Sequence, residues 1–149
     1  MPNFFSDGMP LPAPDQDTAG FWEGCKRHTL LVQRCAKCGV FRMPPVPVCY
    51  DCHSSEYEWV ESIGVGEVYT SVIVHHPPHP ATRDRVPYNV VVVQLDDCGQ
   101  VKLVSNLVDC ANEDIQVGMK VQVAWEDTTP DVAQPRFRPL VEASSGPSS

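Results

Sequence analysis

The chain is short of positive charge: 11 Lys+Arg stand against 19 Asp+Glu, a formal net charge of −8. An acidic surface repels phosphate backbones, so nucleic-acid binding starts at a disadvantage. There is no uninterrupted apolar run of about eighteen residues, which excludes a membrane-spanning helix. Residues 1–17 hold neither the basic stretch nor the apolar stretch of a secretory signal. No nucleophile elbow, Walker-type phosphate loop or GxGxxG motif occurs. Seven cysteines, an odd number in a chain without a signal, read as thiols rather than as a disulfide framework. The expectation is a soluble, cytoplasmic protein with no complete active site in view.

What is present is enough for a core. The 149 residues, 42% of them apolar, make one medium domain or two small ones. Fifteen prolines imply many loops and few long helices.

Four of the cysteines form two CxxC pairs, Cys35 with Cys38 and Cys49 with Cys52, ten residues apart. Four thiolates suit a tetrahedral zinc ion, and Gly39 follows the first pair where a knuckle needs a residue free of Cβ strain. The stiff segment Met43-Pro44-Pro45-Val46-Pro47-Val48 then reverses the chain into the second pair. The pattern reads as a zinc ribbon holding one structural ion, against the alternative of a redox pair or unrelated thiols. Four cysteines fill the coordination sphere and leave no position for a catalytic water. Cys25, Cys98 and Cys110 lie outside the ribbon, and Cys98 follows Asp96 and Asp97, which disfavour its thiolate.

The domain organisation expected is a flexible arm over 1–17, a helix with the ribbon over 18–60, a barrel over 61–143 and a disordered tail over 144–149. Phe4 and Phe5 are candidate anchors in the arm. Asp17 or Thr18 can cap a short helix in which Phe21, Trp22 and Cys25 share a face. Beyond the ribbon the β-branched runs 66–76, 89–96, 101–108, 121–126 and 137–141 read as five strands. The fold class is therefore mainly β, with a small, partly open five-stranded barrel of the OB type; a sandwich is the competitor.

Binding signals are sparse. From Tyr57 onward six basic residues face thirteen carboxylates, which argues against single-stranded nucleic acid, where basic side chains interleave with aromatics. His75, His76 and His79 lie within five residues, but the prolines between them suit a projecting loop better than a three-ligand metal site. That loop runs on through Arg83 and Arg85 to Pro87, and long loops in compact domains often carry contacts.

A set of local sequences resembles a known family. Phe21-Trp22-Glu23-Gly24 is followed by the segment from Leu31 through Cys35-Ala36-Lys37-Cys38-Gly39, and then by Pro44-Pro45-Val46-Pro47-Val48-Cys49. Further on come Gly66-Glu67-Val68-Tyr69-Thr70, His76-Pro77-Pro78, Pro87-Tyr88, Ser105-Asn106-Leu107-Val108-Asp109-Cys110 and Arg136-Phe137-Arg138-Pro139. Over about residues 18 to 141 this resembles the DUF35 family, the zinc-ribbon OB-fold acyl-CoA-associated proteins. The resemblance implies a helical N-terminal hairpin, a rubredoxin-like zinc ribbon with Cys35, Cys38, Cys49 and Cys52 as ligands, and a C-terminal OB-fold. It implies a non-catalytic accessory subunit of a thiolase-like acyl-CoA enzyme, with a steroid side-chain aldolase that splits a β-hydroxyacyl-CoA as the first expectation. A partner in an acyltransferase–thiolase complex and an independent acyl-CoA-binding module are the alternatives. Phe21 and Trp22 are the expected partner surface. His76, Arg83, Arg85, Arg136 and Arg138 are the expected contacts for CoA or substrate.

Overall fold

A computed structural model of the chain describes residues 3–6 and 8–140. The tail at 144–149, expected to be disordered, lies outside the described residues, as does the end of the barrel region beyond 140.

The N-terminal helix α1 spans Ala19–Lys26. Its start differs from expectation: Thr18 occupies the cap position but its hydroxyl bonds back to Asp15 rather than to the helix, and Asp15 Oδ1 accepts the N–H groups of Asp17 and Thr18, both at 2.9 Å. Asp15, three residues before the cap position, holds the chain entering the helix in an Asx turn, and its backbone carbonyl accepts the Ala19 N–H at 2.9 Å. Phe21 and Cys25 share the buried face, as their spacing requires. Gly20 and Gly24 let the helix lie close on the neighbouring sheet. A Cβ at Gly20 would meet the Trp59 indole at 2.5 Å, and one at Gly24 would meet Leu31 at 2.8 Å.

That sheet has three antiparallel strands in the order β2-β1-β3: β1 Leu31–Cys35, β2 Phe41–Arg42 and β3 Tyr57–Glu61. Cross-strand partners share a face. Gln33 therefore lies beside Arg42 and Trp59, while Arg34 lies beside Phe41 and Glu58 on the other side.

The barrel uses five antiparallel strands: β4 Val65–Val74, β5 Tyr88–Leu95, β6 Lys102–Ser105, β7 Lys120–Thr129 and β8 Val132–Pro139. Their order is β6-β5-β4-β7-β8. A parallel bridge between Leu107 and Phe137, with Val108 N–H donating to Phe137 O at 2.7 Å, brings the third strand's continuation to the fifth. That circuit is the OB barrel, not a sandwich. β6 and β8 themselves form no ladder, so the barrel is nearly rather than fully closed.

The last strand is longer than its expected start at Phe137, because β7 and β8 form a hairpin pairing Thr129 with Val132 and Trp125 with Pro135. Pro135 hid this segment in the sequence. It is tolerated because β8 is an edge strand whose missing N–H faces away from β7.

Buried Phe21, Cys25, Leu30 and Val32 of the helix–ribbon part join Val68, Val91, Val93, Leu95, Leu103, Leu107, Val121 and Phe137 of the barrel in one cluster. Each such side chain contributes about 1.5–3 kcal/mol on burial, so the two parts stabilise each other.

Candidate metal centre and partner surface

β1 ends at Cys35, and the chain turns through Cys38 with Gly39 N–H donating to Cys35 O at 3.0 Å. The second knuckle repeats this geometry: His53 N–H donates to Cys49 O at 3.0 Å. The residue closing each knuckle is left-handed, Gly39 at φ +80° and His53 at φ +63°. Glycine pays nothing for this; histidine tolerates it at a modest cost.

The two knuckles are held opposite each other by Gln33. Its buried amide donates to Val46 O at 3.0 Å and accepts Val46 N–H at 2.9 Å, which pins the proline-rich return segment against β1. Cys35 and Cys52 Sγ then stand 3.5 Å apart, as do Cys38 and Cys49, and all four sulfurs lie within 4.8 Å of one another. A tetrahedron of Zn–S bonds of about 2.3 Å has edges near 3.8 Å, so these residues fit a zinc ion.

The electrostatics point the same way. The Cys38 N–H, 3.5 Å from Cys35 Sγ, is the main reason the Cys35 thiol is lowered to about 6. Cys49 is lowered chiefly by the Cys52 N–H. For Cys38 the Val40 N–H favours the thiolate, but burial and the sulfurs of Cys49, Cys35 and Cys52 outweigh it and push the group up to about 12. Four crowded thiols resist carrying four negative charges until a dication neutralises them. With four cysteines the sphere is complete, so the ion would supply folding energy and a fixed shape, not a reactive water.

The other thiols are poor nucleophiles. Burial pushes Cys25 up to about 12, and burial together with Asp97 pushes Cys98 up to about 11.

Two of the expected contact residues are placed elsewhere. Arg136 is buried: its Nε donates to Glu126 Oε1 at 3.1 Å and its Nη1 to Asn106 Oδ1 at 2.9 Å, so it has no free fork for a CoA phosphate. Glu126 Oε1 also accepts the Phe4 N–H at 2.8 Å, and the Phe4 and Phe5 rings lie over the Arg136 guanidinium. Phe5 packs edge-on to Tyr88 at 5.0 Å, which seats the N-terminal arm on the barrel. Phe21 is only 7% exposed and belongs to the chain's own core, so it has little surface for a partner. Its hydrophobicity could be read in the sequence, but not which neighbour would cover it.

Trp22 remains half-buried, edge-on to Phe21 at 5.0 Å. His76, Arg83 and Arg85 are exposed on the long loop after β4, and Arg85 lines an open cavity of about 390 Å³ with Tyr88, Leu107 and Cys110. His79 has a local task, its Nδ1 accepting the Ala81 N–H at 3.1 Å. Arg138 is half-buried, 3.8 Å from Asp109. Sequence reasoning missed the buried amides Gln33 and Asn89. Asn89 imitates a strand by accepting Leu107 N–H at 2.6 Å and donating to Leu107 O at 2.9 Å.

A closed four-cysteine ribbon set against an acidic OB barrel defines a zinc-ribbon OB-fold protein. Residues 22–58 match the model of the ChsH2 rubredoxin-like zinc ribbon domain, and residues 59–126 that of the ChsH2 C-terminal OB-fold domain. The chain belongs to this family, ChsH2 and the DUF35 proteins.

It is 42% identical over 132 residues to a probable enoyl-CoA hydratase alpha subunit of Thermomonospora curvata, covering 89% of this chain and 40% of that one. It is 36% identical to the 3-oxo-4,17-pregnadiene-20-carboxyl-CoA hydratase alpha subunit of Mycobacterium tuberculosis, covering 81% of this chain and 37% of that one. The chain thus spans about two fifths of the length of these relatives. A DUF35 domain-containing scaffold protein of Methanocaldococcus jannaschii is 30% identical, with 70% of this chain and 73% of that one matched. Among solved structures, a chain of the Ltp2-ChsH2(DUF35) aldolase superposes with a TM-score of 0.79 at 42% identity, covering 87% of this chain and 99% of that one.

Proposed function

We propose that this chain is the zinc-holding accessory subunit of a thiolase-like acyl-CoA enzyme, specifically an aldolase that cleaves the Cα–Cβ bond of a β-hydroxyacyl-CoA. The observation that carries this reading is the 42% identity to a chain of an aldolase complex, extending over 99% of that chain. The pregnadiene carboxyl-CoA in the name of the Mycobacterium tuberculosis relative supports a steroid side chain as the substrate. Hydration is a weaker reading, since this chain matches only the smaller part of both hydratase subunits.

The chemistry of the described residues agrees. The clustered thiols suit a structural ion, and the remaining buried cysteines are held protonated. The reacting groups then belong to the partner, while this subunit stabilises it and completes the acyl-CoA site. His76, Arg83 and Arg85 are the exposed cations and imidazole suited to CoA phosphates or substrate, Arg85 beside an open cavity.

The test is co-expression with a thiolase-like chain. The expected result is one zinc-containing complex that cleaves β-hydroxyacyl-CoA, with neither chain active alone. Trp22→Ala should weaken the complex while the zinc stays bound. Saturable CoA binding by the isolated chain, with no complex formed, would instead establish an independent acyl-CoA module.

A further inference from the structure

The barrel's open seam is the feature that the metal centre and the acyl-CoA reading leave unexplained. The continuation of β6 meets β8 at Leu107 and Phe137, and β6 itself meets β8 through Ser105 Oγ–H, which donates to Pro135 O at 2.9 Å. Between Lys102–Val104 and Gln134–Arg136 the two strands line a groove instead of pairing. Phe21 plugs the gap from below, and outside it lies a groove of about 360 Å³.

Its lining is largely apolar: Trp22 of α1, Met43 and Pro44 of the return segment, Leu103 and Val104 of β6, and Pro135 of β8. Val104 is 73% exposed, the highest value among the exposed large hydrophobic side chains of the described residues. Here the exposed valine is gathered with a tryptophan and two prolines around one groove, and clustered apolar groups of this kind mark contact surfaces where singly scattered ones do not. The groove lies between two strand edges, which suits an extended segment better than a helix about 10 Å across.

Charge narrows the choice of occupant. The charged residues lining the groove are Lys102 and Arg136, both basic, in a chain with 19 acidic and 11 basic residues. Arg136 is neutralised by Glu126, but Lys102 forms no ion pair among the described residues and rests on the Tyr69 ring at 4.7 Å. Arg42, one residue before Met43, is also uncompensated: it is 5% exposed, and its Nε and Nη1 have no hydrogen-bond partner. Of the two carboxylates on β3, Glu58 lies on the opposite face and is taken by Arg34, while Glu61 is on Arg42's face but is exposed and forms no ion pair with it. An uncompensated positive field beside an apolar trough favours a segment that brings apolar side chains and a carboxylate.

We propose that this groove docks an extended segment of the partner subunit, whose apolar side chains fill the space between Trp22, Val104 and Pro135 and whose acidic side chain meets Lys102. The proposal rests on the accessory-subunit reading and adds the chemistry of the contact.

The test compares two exposed valines on the same sheet. Val104→Asp places a carboxylate in the groove; Val72→Asp places one on the same outer face two strands away, where Val72 is 58% exposed and does not line the groove. Both variants should fold and hold zinc as the wild type does. With the co-expressed thiolase-like chain, Val104→Asp is expected to weaken association at least about tenfold and Val72→Asp to leave it unchanged. Lys102→Glu should also weaken association, with a deficit that shrinks as salt is raised. If the wild type forms the complex and Val104→Asp forms it equally well, or both valine variants lose it equally, the groove assignment is overturned and the subunit reading stands. If the wild type forms no complex, the subunit reading fails and the groove assignment falls with it.

Discussion

Asp97 fastens the barrel to the ribbon through Ser62. Its Oδ1 accepts the Ser62 hydroxyl at 2.7 Å, and its Oδ2 accepts the Ile63 N–H at 2.9 Å. Ser62 and Ile63 open the three-residue link between β3 and β4, and Asp97 stands at the β5–β6 turn, so one carboxylate fixes where the ribbon sits. Hydrogen bonds to a charged group are worth about 1.5–3 kcal/mol each when lost without replacement. The Ile63 bond is exposed and water can replace it, so Asp97→Ala should lower the unfolding free energy by the worth of the Ser62 bond, about 1.5–3 kcal/mol, in urea titrations, with the zinc retained. Asp97→Asn, left with one accepting oxygen, should fall between; an unchanged midpoint for both variants would contradict the fastening role.

Glu126 makes the fold acid-sensitive. Burial raises its pKa, but the Thr128 hydroxyl, Arg136 and the Phe4 N–H outweigh it and hold the group below its ordinary 4.5. A carboxyl lowered in the folded state contributes stability above its unfolded pKa and loses it as the pH falls through the folded value. The contribution is therefore complete above about 4.5 and fades below it. Glu126→Gln leaves Arg136 buried without its counter-charge and should cost about 3–5 kcal/mol near neutrality. The gap between wild type and variant should narrow in denaturation curves taken from pH ~6 down to pH ~3. A gap independent of pH would mean the carboxylate charge is not what matters.

The buried thiols outside the ribbon should be inert. Cys98 is pushed up to about 11 by burial and by Asp97, so little thiolate exists near neutral pH. Cys98→Ala is expected to leave turnover of the assembled enzyme within about twofold of wild type, read as kcat at saturating substrate. A loss of a hundredfold or more would place this thiol in the chemistry.

Much of this molecule is legible in the sequence because its signals are local. Two CxxC pairs declare a metal site through spacing alone, and four consecutive valines with alternating neighbours declare a barrel wall. The OB topology needed more, since only the Leu107–Phe137 bridge separates a barrel from a sandwich. Arg136 looked available because its carboxylate partner, ten residues earlier, reaches it only through the β7–β8 hairpin that Pro135 concealed. Phe21 looked like a partner residue because an amphipathic helix shows which face is apolar, not which surface covers it. Gln33 and Asn89 gave no signal, since a buried amide that brackets one backbone residue depends on tertiary placement.

The zinc itself makes the sharpest division between structure and catalysis. Cys49 sits at the end of the segment that Gln33 pins, with its sulfur 3.5 Å from Cys38. Cys49→Ser removes one thiolate and should release the metal, loosening the return segment and the contact of α1 with the ribbon. Metal analysis is expected to show no bound zinc, the thermal midpoint should fall, and co-elution with the thiolase-like chain should be lost. Turnover should disappear only as assembly does, because a four-cysteine sphere offers no site for substrate or water. A Cys49→Ser chain that assembled fully yet failed to support cleavage would show the ion acting in the reaction, and the accessory reading of the ribbon would have to be abandoned.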